Sequence, residues 1–170
     1  MKLKRLLVAL AVAVPLAVVG IAFAANVFGD IRQATARYHD LTKAESAGYA
    51  EFRDAQGIRC IDLPGVGAMG VHYVKGSLVG DAVLDPDHPE ALVYEQRGNN
   101  MHLVALEYIV FKQVWEDAGN QQPPRMFGRQ FDLIPAGNRF GIPAFYALHA
   151  WAWKVNPEGD FFAWNPRVDC

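Results

Sequence analysis

The sequence predicts an α+β fold, with an N-terminal helix packed on a curled antiparallel sheet of about five strands. Three observations predict it. One segment near the start carries apolar residues three and four positions apart. After Gly48 the chain changes to runs rich in Val, Ile, Tyr, Phe and Trp. Turn signals, rather than further helical stretches, separate those runs.

The elements follow in order. Asp30 stands where a helix cap belongs, ahead of Ile31, Ala34, Tyr38 and Leu41, and Gly48 is the stop. Residues 70–74, 91–94, 102–111, 129–134 and 145–155 read as strands. Asp85-Pro-Asp-His-Pro89, Arg97-Gly-Asn-Asn100, Gln122-Pro-Pro124 and Asn156-Pro-Glu-Gly159 supply the turns. Residues 115–120 read as a short second helix. Internal repeats and low-complexity linkers are missing from the text, so residues 30–170 read as a single α+β domain.

The first residues predict an address. Met1 to Arg5 is basic, residues 6–24 carry no charge, and Ala22-Phe23-Ala24 puts small residues where a signal peptidase cuts. Residues 1–24 therefore read as a signal peptide, cleaved after Ala24 and delivering a secreted or periplasmic protein. The competing reading is an uncleaved anchor, since the apolar stretch is nearly long enough to span a bilayer. The whole chain has 16 Lys+Arg against 18 Asp+Glu, and cleavage would remove Lys2, Lys4 and Arg5. The acidic remainder argues against nucleic acid as a partner and against membrane attachment after cleavage. In an oxidising compartment Cys60 and Cys170 should form a disulfide. Closing a loop of about 100 residues contributes up to roughly 4–5 kcal/mol in the chain-entropy treatment.

Glu107 is the most informative residue. It lies mid-strand in Leu-Val-Ala-Leu-Glu-Tyr-Ile-Val-Phe, apolar on both faces as a covered central strand is. A buried carboxylate must be paired, protonated or bound to a cation. One candidate partner is an arginine, Arg129 or Arg139, in a structural ion pair. The other is a pair of imidazoles, His72 and His149, each set among strand residues. In 145–155 the alternation puts Ala147, His149, Trp151 and Trp153 on one side. Two imidazoles and a carboxylate fit a divalent metal, zinc or copper. Without metal, a Glu–His pair fits general acid–base catalysis in a lyase or hydrolase pocket. Tyr73, Trp151 and Trp153 are the expected ligand-binding walls.

Other patterns carry less. Gly65-Val-Gly-Ala-Met-Gly70 has the letters of a dinucleotide loop, but Pro64 precedes it and a β-type run follows. It reads as a turn, or as backbone approached closely by another group. Asp81, Asp85, Asp87 and Glu90 cluster oxygen donors without EF-hand spacing, and read as a solvated turn. His39 and His88 read as surface residues. Trp151, Trp153, Phe161, Phe162 and Trp164 read as core rather than as a stacking platform.

Met69-Gly-Val-His-Tyr73, Leu92-Val-Tyr-Glu95, Glu107-Tyr108, Pro124-Arg-Met-Phe-Gly128, Leu148-His-Ala-Trp151 and the run from Asn156-Pro-Glu-Gly to Trp164-Asn-Pro166 span most of the chain beyond residue 24. In these motifs the sequence resembles a family of small exported bacterial proteins of unknown function. The resemblance implies export and one domain, and it implies no reaction. The expectation is an exported protein binding a metal ion or small ligand at His72, Glu107 and His149. The alternatives are a metal-free pocket enzyme and a non-catalytic envelope protein.

Overall fold

The computed structural model describes residues 28–170, so the expected signal segment lies outside the described residues. A helix, α1, covers 28–35 and tightens into a 3-10 turn at Ala36–His39. Asp30 is inside this helix rather than at its cap. The chain breaks at Asp40, whose side chain accepts the Thr42 N–H at 3.1 Å and caps a second helix, α2, at Leu41–Ser46. The single helix expected up to Gly48 is thus two, because an aspartate competes for backbone donors where it falls.

Nine strands follow: β1 Ala50–Glu51, β2 Cys60–Leu63, β3 Gly67–Val74, β4 Ala91–Arg97, β5 Asn100–Phe111, β6 Arg125–Met126, β7 Arg129–Gln130, β8 Asp132–Ile134 and β9 Phe145–Ala150. Two short helices interrupt them, α3 at Gly76–Val79 and α4 at Lys112–Asp117. Seven strands make one open antiparallel sheet in the order β1-β3-β4-β5-β9-β8, with β2 also paired to β3. The remaining two, β6 and β7, form a separate hairpin. The α+β class and the antiparallel pairing are as expected. The run at 129–134 splits between the hairpin and the sheet edge, and the last strand ends at Ala150 instead of Val155.

Both faces of the sheet are apolar, and they do different work. Tyr73, Tyr94, Leu106, Tyr108, Leu148 and Ala150 share one buried cluster with Ile31, Tyr38 and Ala44 of the helical segment. Buried tyrosine hydroxyls need partners: Tyr94 donates to the Tyr38 carbonyl at 2.7 Å and Tyr108 to that of Pro86 at 2.8 Å. The opposite face holds Val93, Ala105 and Trp151 in one cluster and Ala91, Ile109, Phe145 and Ala147 in another. A bulge sets the boundary in β5, where the partners of Val93 and Tyr94 are Ala105 and Leu103, so Val104 is the extra residue. Leu103 thereby joins the tyrosine face, against the simple alternation, and Glu107 keeps its place on the other.

Cys60 of β2 is bonded to Cys170, with Cα atoms 5.5 Å apart, and no cysteine is left free. Among the described residues no helix is long and apolar enough to cross a membrane. Replacing both cysteines by alanine should lower the unfolding free energy by up to about 4–5 kcal/mol, read from denaturant titrations under oxidising conditions. An unchanged midpoint and slope would show that the bridge constrains nothing.

Candidate functional site

Strand register brings the site together. Glu107 of β5 stands directly opposite His149 of β9, so both side chains leave the same face at the same level. His72 of β3 is two strands away from β5, with Val93 opposite it and Ala105 beyond. It must reach diagonally across β4, over a span of about 10 Å between strand axes. On the way it passes between Val93, opposite His72, and Ala91, the β4 residue paired with both Val74 and Glu107.

The result is a carboxylate held between two imidazoles. His72 Nε2 lies 3.3 Å from Glu107 Oε2, and His149 Nδ1 lies 3.2 Å from Glu107 Oε1. The imidazole planes meet edge to face with centroids 5.5 Å apart. All three residues are buried, at 6%, 7% and 3% exposure for His72, Glu107 and His149. Burial opposes ionisation of Glu107, but the charge and hydrogen-bonding capacity of His149 and then His72 outweigh it. The carboxyl is held well below the usual carboxylate range. Among the described residues this is the one group of three or more His, Cys, Asp or Glu able to offer ligand atoms within 4.8 Å of one another. His149 Nε2 is buried and has no hydrogen-bond partner.

Neither arginine reaches Glu107. Arg139 donates to Asp54 at 3.0 Å, and Arg129 lies over the ring of Phe161 at 5.8 Å. The structural ion pair that competed with the imidazoles is therefore absent.

Of the expected walls, only Trp151 is on the right side. Its ring stacks on His149 at 6.1 Å and its Nε1 donates to the Phe162 carbonyl at 2.6 Å. Tyr73, next to His72 in a strand, faces the opposite way and meets Tyr94 edge-on at 5.2 Å. Trp153 lies beyond the end of β9, where alternation no longer holds. It packs against the helical segment, 4.3 Å from the His39 ring and donating to Thr35 Oγ1 at 3.3 Å. Both are corrected to the tyrosine face.

The true walls come from elsewhere. A cavity of about 380 Å³ opens along the site face, with His72, Glu107 and His149 in its lining. Ile109 and Phe111 continue it along β5, and Ala147 and Phe145 along β9. Phe52 joins it because its N–H donates to the His72 carbonyl at 2.8 Å. Phe140 and Ile142 come from the loop before β9. Alternation in 145–155 put Ala147 on the side of His149, whereas the contributions of Phe52, Phe140 and Ile142 had no signal in the sequence.

The remaining patterns are structural. A Cβ on Gly67 would lie 2.5 Å from the Asn165 carbonyl, and one on Gly70 2.6 Å from the Tyr94 oxygen. These glycines admit neighbouring backbone, not a pyrophosphate. Asp85 accepts from Asp87 N at 2.9 Å and pairs with the exposed His88 at 2.8 Å, as in a solvated turn. Phe161 is packed between Phe28 and Phe127, while Phe162 is 43% exposed and outside the core.

Glu90 does not belong to that turn. It is fully buried, with Oε2 accepting from the Ile109 N–H at 2.9 Å and Oε1 unpartnered. Burial pushes its carboxyl up to about 8, and the Ile109 N–H only partly offsets this. The folded state thus binds more protons than the unfolded chain between the ordinary value and about 8. Stability contributed by the protonated group is fully present below about pH 4.5 and is lost as pH rises to about 8, at up to about 1.4 kcal/mol per pH unit. Thermal unfolding followed from pH 5 to 8 should fall more steeply for the parent than for Glu90→Gln. Parallel curves would contradict the assignment.

No family model, curated protein or solved structure matches this chain, so its chemistry rests on the residues themselves.

Proposed function

We propose that the protein is exported and holds a divalent metal ion, zinc or copper, on His72, Glu107 and His149. The convergence of these three side chains carries the reading. Each carboxylate oxygen has an imidazole nitrogen 3.2 or 3.3 Å away. One ligand atom from each lies within 4.8 Å of the others, and bonds of about 2.0–2.1 Å in a tetrahedral zinc centre separate neighbouring ligand atoms by roughly 3.3 Å, so the side chains would draw together on the ion. Imidazoles favour zinc and copper over calcium and magnesium, which prefer all-oxygen shells. Two histidines and a glutamate also leave a coordination position open, the arrangement of catalytic rather than structural zinc sites. Export is supported by the leader-like composition of residues 1–24 and by the Cys60–Cys170 bridge.

A second reading is favoured by one observation. With Glu107 Oε1 beside Nδ1 of His149, the proton belongs on Nδ1 and the orphan Nε2 is left as a base. A lyase or hydrolase would use that pair without metal.

Titration calorimetry on chelator-treated protein separates the readings. One zinc or copper ion should bind per chain, and Glu107→Gln or His149→Ala should weaken binding by roughly a hundredfold. If the parent takes up neither metal, the metal reading falls. The acid–base reading then predicts that Glu107→Gln keeps the fold and abolishes any turnover found by substrate screening. A drop in melting temperature alone would favour the structural role.

A further inference from the structure

We propose that the cavity beside His72, Glu107 and His149 receives one uncharged, largely hydrocarbon small molecule whose single polar atom meets that cluster. The inference rests on the site reading above only for what meets the polar end. Its size and charge class follow from the walls.

The cavity measures about 380 Å³, within the range of small-molecule sites, about 300–1,000 Å³. It exists because small side chains stand where large ones would fill it. Ala147 lies between Phe145 and His149 on β9 and opposite Ile109 of β5, so a methyl group faces the hollow. Glu107 and Phe111 are four residues apart on one face, which gives the long axis roughly 13–14 Å. Phe140 meets both Phe52, anchored beside His72, and Phe145, opposite Phe111, at centroid distances of 6.0 and 5.9 Å, an aromatic wall suited to a flat or branched hydrocarbon body.

Charge narrows the class. Among the described lining residues there is no Lys or Arg, so with no metal on the cluster an anion would leave water without a counter-charge. Three carboxylates line the space, but two are already engaged. Glu107 lies between its imidazoles, and Glu51 is paired with Arg53 at 2.5 Å and Arg59 at 3.2 Å. Asp132 is exposed and faces solvent at the rim. An organic ammonium therefore finds no free carboxylate inside either, because the one buried there is already held by its two imidazoles. A neutral molecule loses least on entry, and a lone polar atom finds imidazole and carboxylate at the cluster.

N-phenyl-1-naphthylamine and 8-anilino-1-naphthalenesulfonate share one aromatic skeleton and differ by a sulfonate, so fluorescence titration with both tests size and charge together. In the purified protein, with chelator and again with zinc, the uncharged probe should saturate at one per chain. Under chelator the sulfonate should bind at least about tenfold more weakly. Ala147→Leu, which leaves the three polar residues in place, should weaken the uncharged probe by at least about tenfold with zinc uptake and circular dichroism unchanged. Val79→Phe fills the same space from α3 if the first variant does not fold. Failure of the uncharged probe to saturate, equal binding of the sulfonate under chelator, or undiminished binding to a folded filled variant would each overturn the proposal. Probe binding without zinc uptake removes the metal reading alone, and zinc uptake without probe binding removes this inference alone.

Discussion

A carboxylate inside an apolar central strand is the constraint from which the rest of this molecule is organised. Glu107 has strands on both sides and a 7% exposure, so water cannot carry its charge. Isolated, such a group would cost several kcal/mol even after relaxation. His149 answers it from the next strand at the same level, and His72 from two strands away. Any shift of register by one residue would send one of them to the tyrosine face and strand the charge. The pairing of β5 with β9 is fixed by electrostatics as much as by packing.

Three of the four buried acids show three solutions to the same problem. Glu107 keeps its charge between imidazoles. Asp54 keeps its charge too: burial opposes it, but N–H groups of Ile58 and Gln56 and the Arg139 guanidinium together hold its carboxyl below the ordinary range. Glu90 has one backbone N–H and no cation, and holds its proton near neutrality instead. Only the first borders a cavity. That distinction separates a candidate site from two acids that brace a turn and a strand.

Much of this was legible in the sequence, and the failures have definite causes. Alternation in the long apolar strand identified Glu107 as anomalous, and the same parity placed His149 beside Ala147 on the cavity side. Applied to residues 70–74, it would also have excluded Tyr73, which directly follows His72. Trp153 was misplaced because the chain leaves the sheet after Ala150. The bulge at Val104 defeated alternation at Leu103, since an extra residue changes parity without changing composition. Phe52 and Phe140 reach the same cavity from segments 88 residues apart, a closeness no local pattern encodes.

Ala91 has a consequence of its own. It touches no ion, donates no hydrogen bond through its side chain and would pass unnoticed in any survey of reactive groups. Yet it stands level with Glu107 on the strand that His72 must cross, so added bulk there would crowd the approach of the imidazole to the acid.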